Sequence, residues 1–242
     1  MLKTYSYPKF PYRQSEEQKT GRAEVHPVVV VGAGPIGLTM ALDLAARGLR
    51  VVVLDDNDTV SIGSRAVCYA KRPLEIWNRL GVAAPMVERG ISWKVGKVFF
   101  KDRQLYAFDL LPEPGHERPA FINLQQYYVE GYLADRAAEL RNIEIRWRSA
   151  VKGVEVRADH VRLTLDTPDG PYTLEADYVA ACDGSKSTLR GLLGLEATGR
   201  TFRDRFLIAD IQMDAPDFPA ERRFWFDPTF HPGQSVLLHK QA

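Results

Sequence analysis

Four valines, Val28 to Val31, run directly into the turn Gly32-Ala33-Gly34-Pro35-Ile36-Gly37. Apolar positions then recur at helical spacing, and a second valine run, Val51 to Val53, closes on Leu54 and Asp55. The pattern predicts a strand, a tight turn, an amphipathic helix and a second strand, in that order. Arg47 and Gly48 supply a cation and a permissive residue where the helix should stop. Leu74, Ile76, Trp77 and Leu80 predict a helix over 71–80 with Gly81 as its stop. Residues 94–100 and 104–110 read as a hairpin around Lys101-Asp102-Arg103, and the Pro/Gly-rich stretch 111–119 as a long loop. A second convincing helix covers 127–140, and 142–147 alternates as a strand. A meander follows over 151–156, 161–165 and 172–174, with turns at Ala158-Asp159 and Pro168-Asp169-Gly170. The run 177–182 is a buried-type strand leading into Asp183-Gly184, then a short helix over 187–193. The remainder holds three strand-like runs, 206–213, 222–226 and 235–240. No internal repeat or low-complexity tract interrupts the series.

Composition narrows the picture only slightly. At 242 residues, 45% hydrophobic and 26% charged, the chain can bury a sizeable core in one or two domains. Its 32 basic and 31 acidic residues leave a net charge of +1, so no global field points to nucleic acid or to an anionic membrane. Two cysteines, Cys68 and Cys182, stand far apart in neither metal nor redox spacing. Buried free thiols in a reducing compartment are the expectation. Five histidines form no HxxxH pair, and no metal site is expected. No run approaches the roughly 20 apolar residues of a membrane span. The polar lead-in 1–27 lacks the apolar core of an export signal and reads as a flexible extension or a surface arm, which makes the cytoplasm the expected location.

The glycine turn carries the first chemistry. Gly32 permits a sharp turn, Gly34 leaves room for a pyrophosphate, and Gly37 lets helix and strand pack closely. Pro35 fits a first helical turn, where its missing N–H is no loss. The helix N-terminus then presents free N–H groups and a positive dipole to phosphates. Asp55 lies 18 residues beyond Gly37 (55 − 37), near the roughly 20 expected of a ribose-binding acid. A carboxylate there repels a 2′-phosphate, which favours FAD or NAD over NADP as the tightly held nucleotide. Arg65, in Gly63-Ser64-Arg65-Ala66, is a planar cation of a kind suited to a pyrophosphate, a role that the family resemblance given below implies for it. Gln125 opens the second helix with an amide that both donates and accepts, with Gln126 as its neighbour should the register slip. No GxSxG elbow and no P-loop occur, so hydrolase and phosphotransferase readings have no support.

Three segments together resemble the FAD-dependent group A aromatic-ring monooxygenases, the p-hydroxybenzoate hydroxylase superfamily, in its 3-(3-hydroxyphenyl)propionate hydroxylase-like branch. They are VVGAGPIGLTMALDLAARG with Asp55, FINLQQYYVEGYL around Gln125, and DYVAACDGSKSTLRGLLGL around Asp183-Gly184. The resemblance implies an α/β fold, in which a glutathione-reductase-like Rossmann FAD-binding domain with a β-meander is interleaved with part of a β-sheet substrate domain. The expected division is an N-terminal extension 1–27, a FAD-binding domain of 28–90 with 120–195, and a partial substrate domain of 91–119 with 196–242. The implied cofactor-binding residues are Gly32, Gly34, Pro35, Ile36, Gly37, Asp55, Asp56, Arg65, Gln125, Val151, Asp183 and Gly184, with Arg190 in support. The implied chemistry is reduction of FAD by NADH or NADPH, then hydroxylation of a small phenolic substrate by O2 through a flavin C4a-hydroperoxide. No acid–base or nucleophilic residue can be named, and a homo-oligomer is allowed. Trp93, Phe99, Phe100, Tyr106, Phe108, Phe224, Trp225 and Phe226 either line a pocket for a planar substrate or pack a sheet. Members of this family continue into a further flavin-contacting Gly-Asp segment, so the chain is expected to be the N-terminal half of such an enzyme. Another FAD-dependent oxidoreductase on the same fold, or an inactive FAD-binding fragment, are the alternatives.

Overall fold

The computed structural model describes residues 5–63, 65–215 and 217–242. A six-stranded sheet forms its centre, in the order β8-β2-β1-β11-β10-β9. Its strands are β1 (Val25–Val31), β2 (Val51–Leu54), β8 (Ile143–Arg146), β9 (Ala150–Val156), β10 (Val161–Asp166) and β11 (Tyr172–Ala181). β1, β2, β8 and β11 run parallel, while β9 and β10 continue antiparallel from β11. The valine runs owe their length to burial on both faces, which parallel strands under helical cover require. Side chains alternate across the sheet. Val28, Val30, Val51 and Val53 enter one core and Val29, Val31, Val52 and Leu54 the other.

The first core is closed by α2 (Pro35–Ala46), α3 (Lys71–Arg79), α4 (Ala83–Arg89) and α5 (Gln126–Ala138). Leu38, Leu42, Leu74, Met86 and Leu133 are almost wholly buried in it. The second core gathers the meander residues Leu163, Leu165 and Leu174 with Leu189 of α6 (Thr188–Leu192). A small antiparallel sheet joins β3 (Cys68–Ala70), β7 (Phe121–Asn123) and β4 (Ile91–Trp93). A four-stranded sheet, ordered β13-β12-β5-β6, comprises β5 (Val95–Phe100), β6 (Arg103–Asp109), β12 (Glu221–Phe226) and β13 (Ser235–His239). Its aromatics pack against one another, Phe99 stacked on Trp225 with centroids 4.9 Å apart and Phe224 edge-on to Phe226, while Tyr106 on β6 stays 56% exposed.

Two sequence expectations are corrected. The runs 172–174 and 177–182 form one ten-residue strand, β11, which pairs with β10 through its first half and with β1 through most of its length. Glu175 and Asp177 break the apolar run without breaking the strand, because they fall on alternate outward positions; Glu175 accepts from Arg162 at 2.6 Å. Residues 206–213, expected as a strand, form no regular element. Phe206 is 87% and Leu207 97% exposed. A strand exists only where a neighbour takes its backbone hydrogen bonds, and among the described residues none lies alongside this one.

From residue 5 onward the lead-in is an arm packed on the surface. It contains α1 (Glu16–Thr20), whose N-cap Ser15 and N3 residue Gln18 form a reciprocal capping box. Gln18 also donates to Thr167 Oγ1 at 2.8 Å, which ties the helix to the turn before β11. Glu17 drops into the protein at 2% exposure, where its Oε1 meets His26 Nε2 at 2.7 Å and Arg146 Nη1 at 3.0 Å. Glu17, Glu24 and His26 lie close enough to suggest a cation site that no sequence spacing displays. The Arg146 guanidinium already supplies the positive charge there, and through Glu17 Oε1 the cluster acts as an ion-paired latch.

Candidate dinucleotide site

β1, β2 and β11 all end on one edge of the central sheet, and the chemistry-bearing residues follow each end directly. Ligands of open α/β sheets bind at this carboxyl edge. Gly32 N donates to Leu54 O at 2.7 Å and Cys182 N to Val31 O at 2.8 Å, which locks the three ends together. Gly32 takes φ +106°, and a Cβ on it would stand 2.4 Å from Cys182 O. A Cβ on Gly37 would stand 1.8 Å from Gly32 O. Both glycines are therefore demanded by the packing of the turn itself. Gly34 differs: a Cβ there meets nothing within 4 Å. It is the N-cap of α2, no side chain caps that terminus, and Pro35 occupies the first turn. Beside it Ile36 is 72% exposed. The helix N-terminus is thus open on the side where a pyrophosphate would lie, and the cradle fits that group.

Asp55 closes the turn from the other side. Its Oδ2 accepts from Ala33 N at 2.6 Å, and its Oδ1 accepts from Asn57 N at 2.9 Å. Burial pushes its carboxyl up from the ordinary value, and these backbone donors work against that rise. Its backbone is stitched to the segment after β8, with Asp55 N donating to Arg146 O at 3.1 Å and Ser149 N to Asp55 O at 2.7 Å. Asp56 is exposed and accepts from Asn57 Nδ2 at 2.7 Å. Val151 stands two residues past Ser149, but its side chain is 7% exposed and belongs to the second core. Any ligand contact from Val151 would run through its main chain.

Arg65 is exposed on the loop between Asp55 and β3; Ser64, in the same motif, lies outside the described residues. The loop is held from beneath by a group the sequence reading missed. Glu130, on α5 and only 2% exposed, accepts from Ser61 N and Ser61 Oγ, both at 2.5 Å, and from Gln126 Nε2 at 2.7 Å. Gln126 Oε1 in turn accepts from Ala66 N at 3.2 Å. The available signal was an acid on the buried face of a helix, four residues after a glutamine. Gln126 thus points inward and holds the loop. Gln125 donates to Ala242 O at 3.2 Å and keeps its buried Oε1 unpaired.

Asp183 turns inward rather than toward open space. It accepts from Ser187 Oγ at 2.7 Å and from Leu189 N at 2.9 Å, anchoring the start of α6. Arg190 donates to Ser185 O at 2.7 Å and braces the same loop. Gly184 takes φ +77° with nothing near its Cβ direction. The Asp-Gly pair therefore orders a turn whose glycine face is open. Cys68 and Cys182 are both free.

A sheet whose parallel strands β1, β2, β8 and β11 carry this glycine turn and its distal carboxylate defines a dinucleotide-binding protein. The particular family follows from comparison: residues 25–236 match the FAD binding domain family, and the chain belongs to it. It is 27% identical over 192 residues to a 3-(3-hydroxy-phenyl)propionate/3-hydroxycinnamic acid hydroxylase of Mycolicibacterium smegmatis, covering 79% of this chain and 34% of that one. It is 32% identical over 190 residues to the para-nitrophenol 4-monooxygenase of Pseudomonas sp. strain WBC-3, covering 77% and 47%. Among solved structures, p-nitrophenol 4-monooxygenase PnpA from Pseudomonas putida DLL-E4 superposes with a TM-score of 0.69 at 31% identity, over 75% of this chain and 46% of that one. The chain thus spans between a third and a half of the length of these relatives.

Proposed function

We propose that the chain is the FAD-holding part of a flavin-dependent monooxygenase that hydroxylates a small phenolic compound with O2 and electrons from NADH or NADPH. The observation that carries the reading is the open cradle at Gly34, flanked by the anchored carboxylate of Asp55. Relatives named for hydroxylation of phenols support the substrate class. In this reading the α2 N-terminus receives the pyrophosphate, Asp55 accepts from the adenosine ribose, and Arg65 neutralises phosphate charge. Gln125 and the Gly184 turn face the remainder of the cofactor. Residues 28–90 and 120–195 form the cofactor domain, and 91–119 with 196–242 contribute the start of a substrate-facing sheet. Bound FAD would supply the redox step and the activation of oxygen, and the protein's own groups place it and exclude water. No described helix is long and apolar enough to cross a membrane, and we place the protein in the cytoplasm.

The test is a visible absorption spectrum with FAD titration of the purified protein, then NADH and NADPH oxidation with a panel of phenols. Tight FAD uptake with substrate-stimulated nicotinamide oxidation and a hydroxylated product is the expected result. Nicotinamide oxidation without a hydroxylated product would replace the monooxygenase reading with that of another flavin oxidoreductase. Failure to take up FAD would overturn the reading altogether.

A further inference from the structure

The arm lies largely ahead of residue 25, where the family match begins, yet it reaches the cofactor edge. From Asp55 to Gly63 the chain forms an irregular loop. Its two ends are held by the body of the protein: Arg148 N donates to Asn57 O at 3.0 Å, and Glu130 holds Ser61. Asp58 between these anchors and Gly63 beyond them are held by the arm, while Ala66, past Arg65, is held by Gln126. Phe10 N donates to Asp58 O at 2.7 Å, Lys9 Nζ meets Asp58 Oδ1 at 2.6 Å, and Gly63 N donates to Tyr7 Oη at 3.0 Å. The arm is itself fixed at both sides of these contacts. Phe10 stacks on Trp147 with centroids 4.2 Å apart and planes 7° from parallel, and Tyr7 packs edge-on against Tyr127. Further along, Glu17 latches onto Arg146, the residue whose carbonyl accepts from Asp55 N.

We propose that the N-terminal arm is a cofactor-positioning strap, in which Tyr7 and Lys9 set the loop that separates the ribose-side carboxylate of Asp55 from Arg65. The inference rests on the FAD reading above and adds residues to it that contact the loop, not the cofactor. Tyr7 and Lys9 are positioning residues. Gly63 is two residues from Arg65 and takes φ +82°. Its N–H is the last backbone group the arm holds before the guanidinium. Releasing it lets the loop sample conformations in which Arg65 no longer meets the phosphates, and the cofactor leaves faster. Lys9 also holds the Asp58 carboxyl below its ordinary range, which keeps that contact ionic further into acid than an unpaired carboxyl would be.

The test uses Tyr7→Phe, which keeps the ring packing and removes the hydroxyl acceptor, alone and combined with Lys9→Met. FAD release is followed by recovery of flavin fluorescence, and amide exchange of residues 56–66 is measured without cofactor. The expected result is a roughly fivefold faster release for the double variant, the scale of one or two lost hydrogen bonds. Faster exchange confined to 56–66, with an unchanged unfolding temperature, should accompany it. A lowered unfolding temperature with faster exchange throughout β1 and β2 would make the arm merely structural and overturn the proposal. Unaltered release and exchange would overturn it equally. If the unsubstituted protein takes up no FAD, the functional reading fails and this one falls with it. If it binds FAD and the variant releases it at the same rate, only the strap is wrong.

Discussion

Gly37→Ala is expected to destabilise the protein by about 3 kcal/mol or more and to abolish FAD retention, whereas Gly34→Ala should leave folding almost untouched and still weaken FAD binding about tenfold. The two glycines sit three residues apart in one turn and are required for different reasons. A methyl group at position 37 would stand 1.8 Å from the carbonyl oxygen of Gly32 and 3.2 Å from Cys182 Cβ. Neither neighbour can yield, because Gly32 is pinned by Leu54 and Cys182 by Val31. The only relief is for α2 to lift off β1, which opens the first core beneath Leu38 and Leu42. At position 34 the backbone is extended, with φ −76° and ψ −178°, and suits any residue. Open space surrounds its Cβ direction. The added methyl costs nothing until a pyrophosphate tries to approach the backbone closely. Thermal unfolding of the apoprotein and FAD titration separate the two cases. Equal loss of stability in both variants would contradict the geometry, and undiminished FAD binding by a folded Gly34→Ala protein would put the pyrophosphate elsewhere.

What was legible in the sequence is what is decided locally. Strand β1, the glycine turn, α2 and β2 follow one another within thirty-odd residues, and each carries its own signal. The helices α3 and α5 and the β5–β6 hairpin are equally local and emerge within a residue or two of their expected limits. The same holds for Asp55, whose spacing from the turn places it beside Ala33. The misses are non-local. Whether 206–213 becomes a strand depends on a partner rather than on its alternation. Whether β11 is one strand or two depends on β1 and β10 lying on either side of it. The three-residue strands β3, β4 and β7 are too short to show a period. Two further features do carry a local signal. Ser15-Glu16-Glu17-Gln18 spells a capping box and marks α1, and Gln126 with Glu130 marks a polar pair on a buried helix face.

The inward turn of Asp183 has the same lesson at the level of a side chain. An Asp-Gly after a buried strand is compatible with a ligand-facing carboxylate and with one that caps the next helix. The geometry chooses the second, because Ser187 Oγ and Leu189 N together take both oxygens. The open element is Gly184. Gly34 is the corresponding open element in the first turn.

Glu17→Gln is expected to cost about 2–4 kcal/mol at pH 7, with the deficit shrinking as the pH falls toward 2. Burial alone would push the Glu17 carboxyl up. His26, the backbone of Glu17 and the guanidinium of Arg146 outweigh that and hold it at about 2, against an ordinary 4.5. A depressed carboxyl contributes stability that is complete above its unfolded value and disappears as pH drops through the folded one. The window is therefore from about 4.5 down to about 2, and within it the unsubstituted protein should lose roughly 3 kcal/mol from this group. The glutamine variant keeps the shape and an acceptor for Arg146 but has no proton to take up in that range. It also leaves Arg146, whose side chain is 5% exposed, with the half-exposed Glu144 as its one carboxylate partner among the described residues, beside the hydroxyl of Tyr172. Urea unfolding of both proteins from pH 2 to 7 reads the difference directly. Curves that meet near pH 2 assign the loss to the charge on Glu17. A gap that stays constant across the range would assign it to packing, and the latch between arm and sheet would then be held by shape instead of by an ion pair.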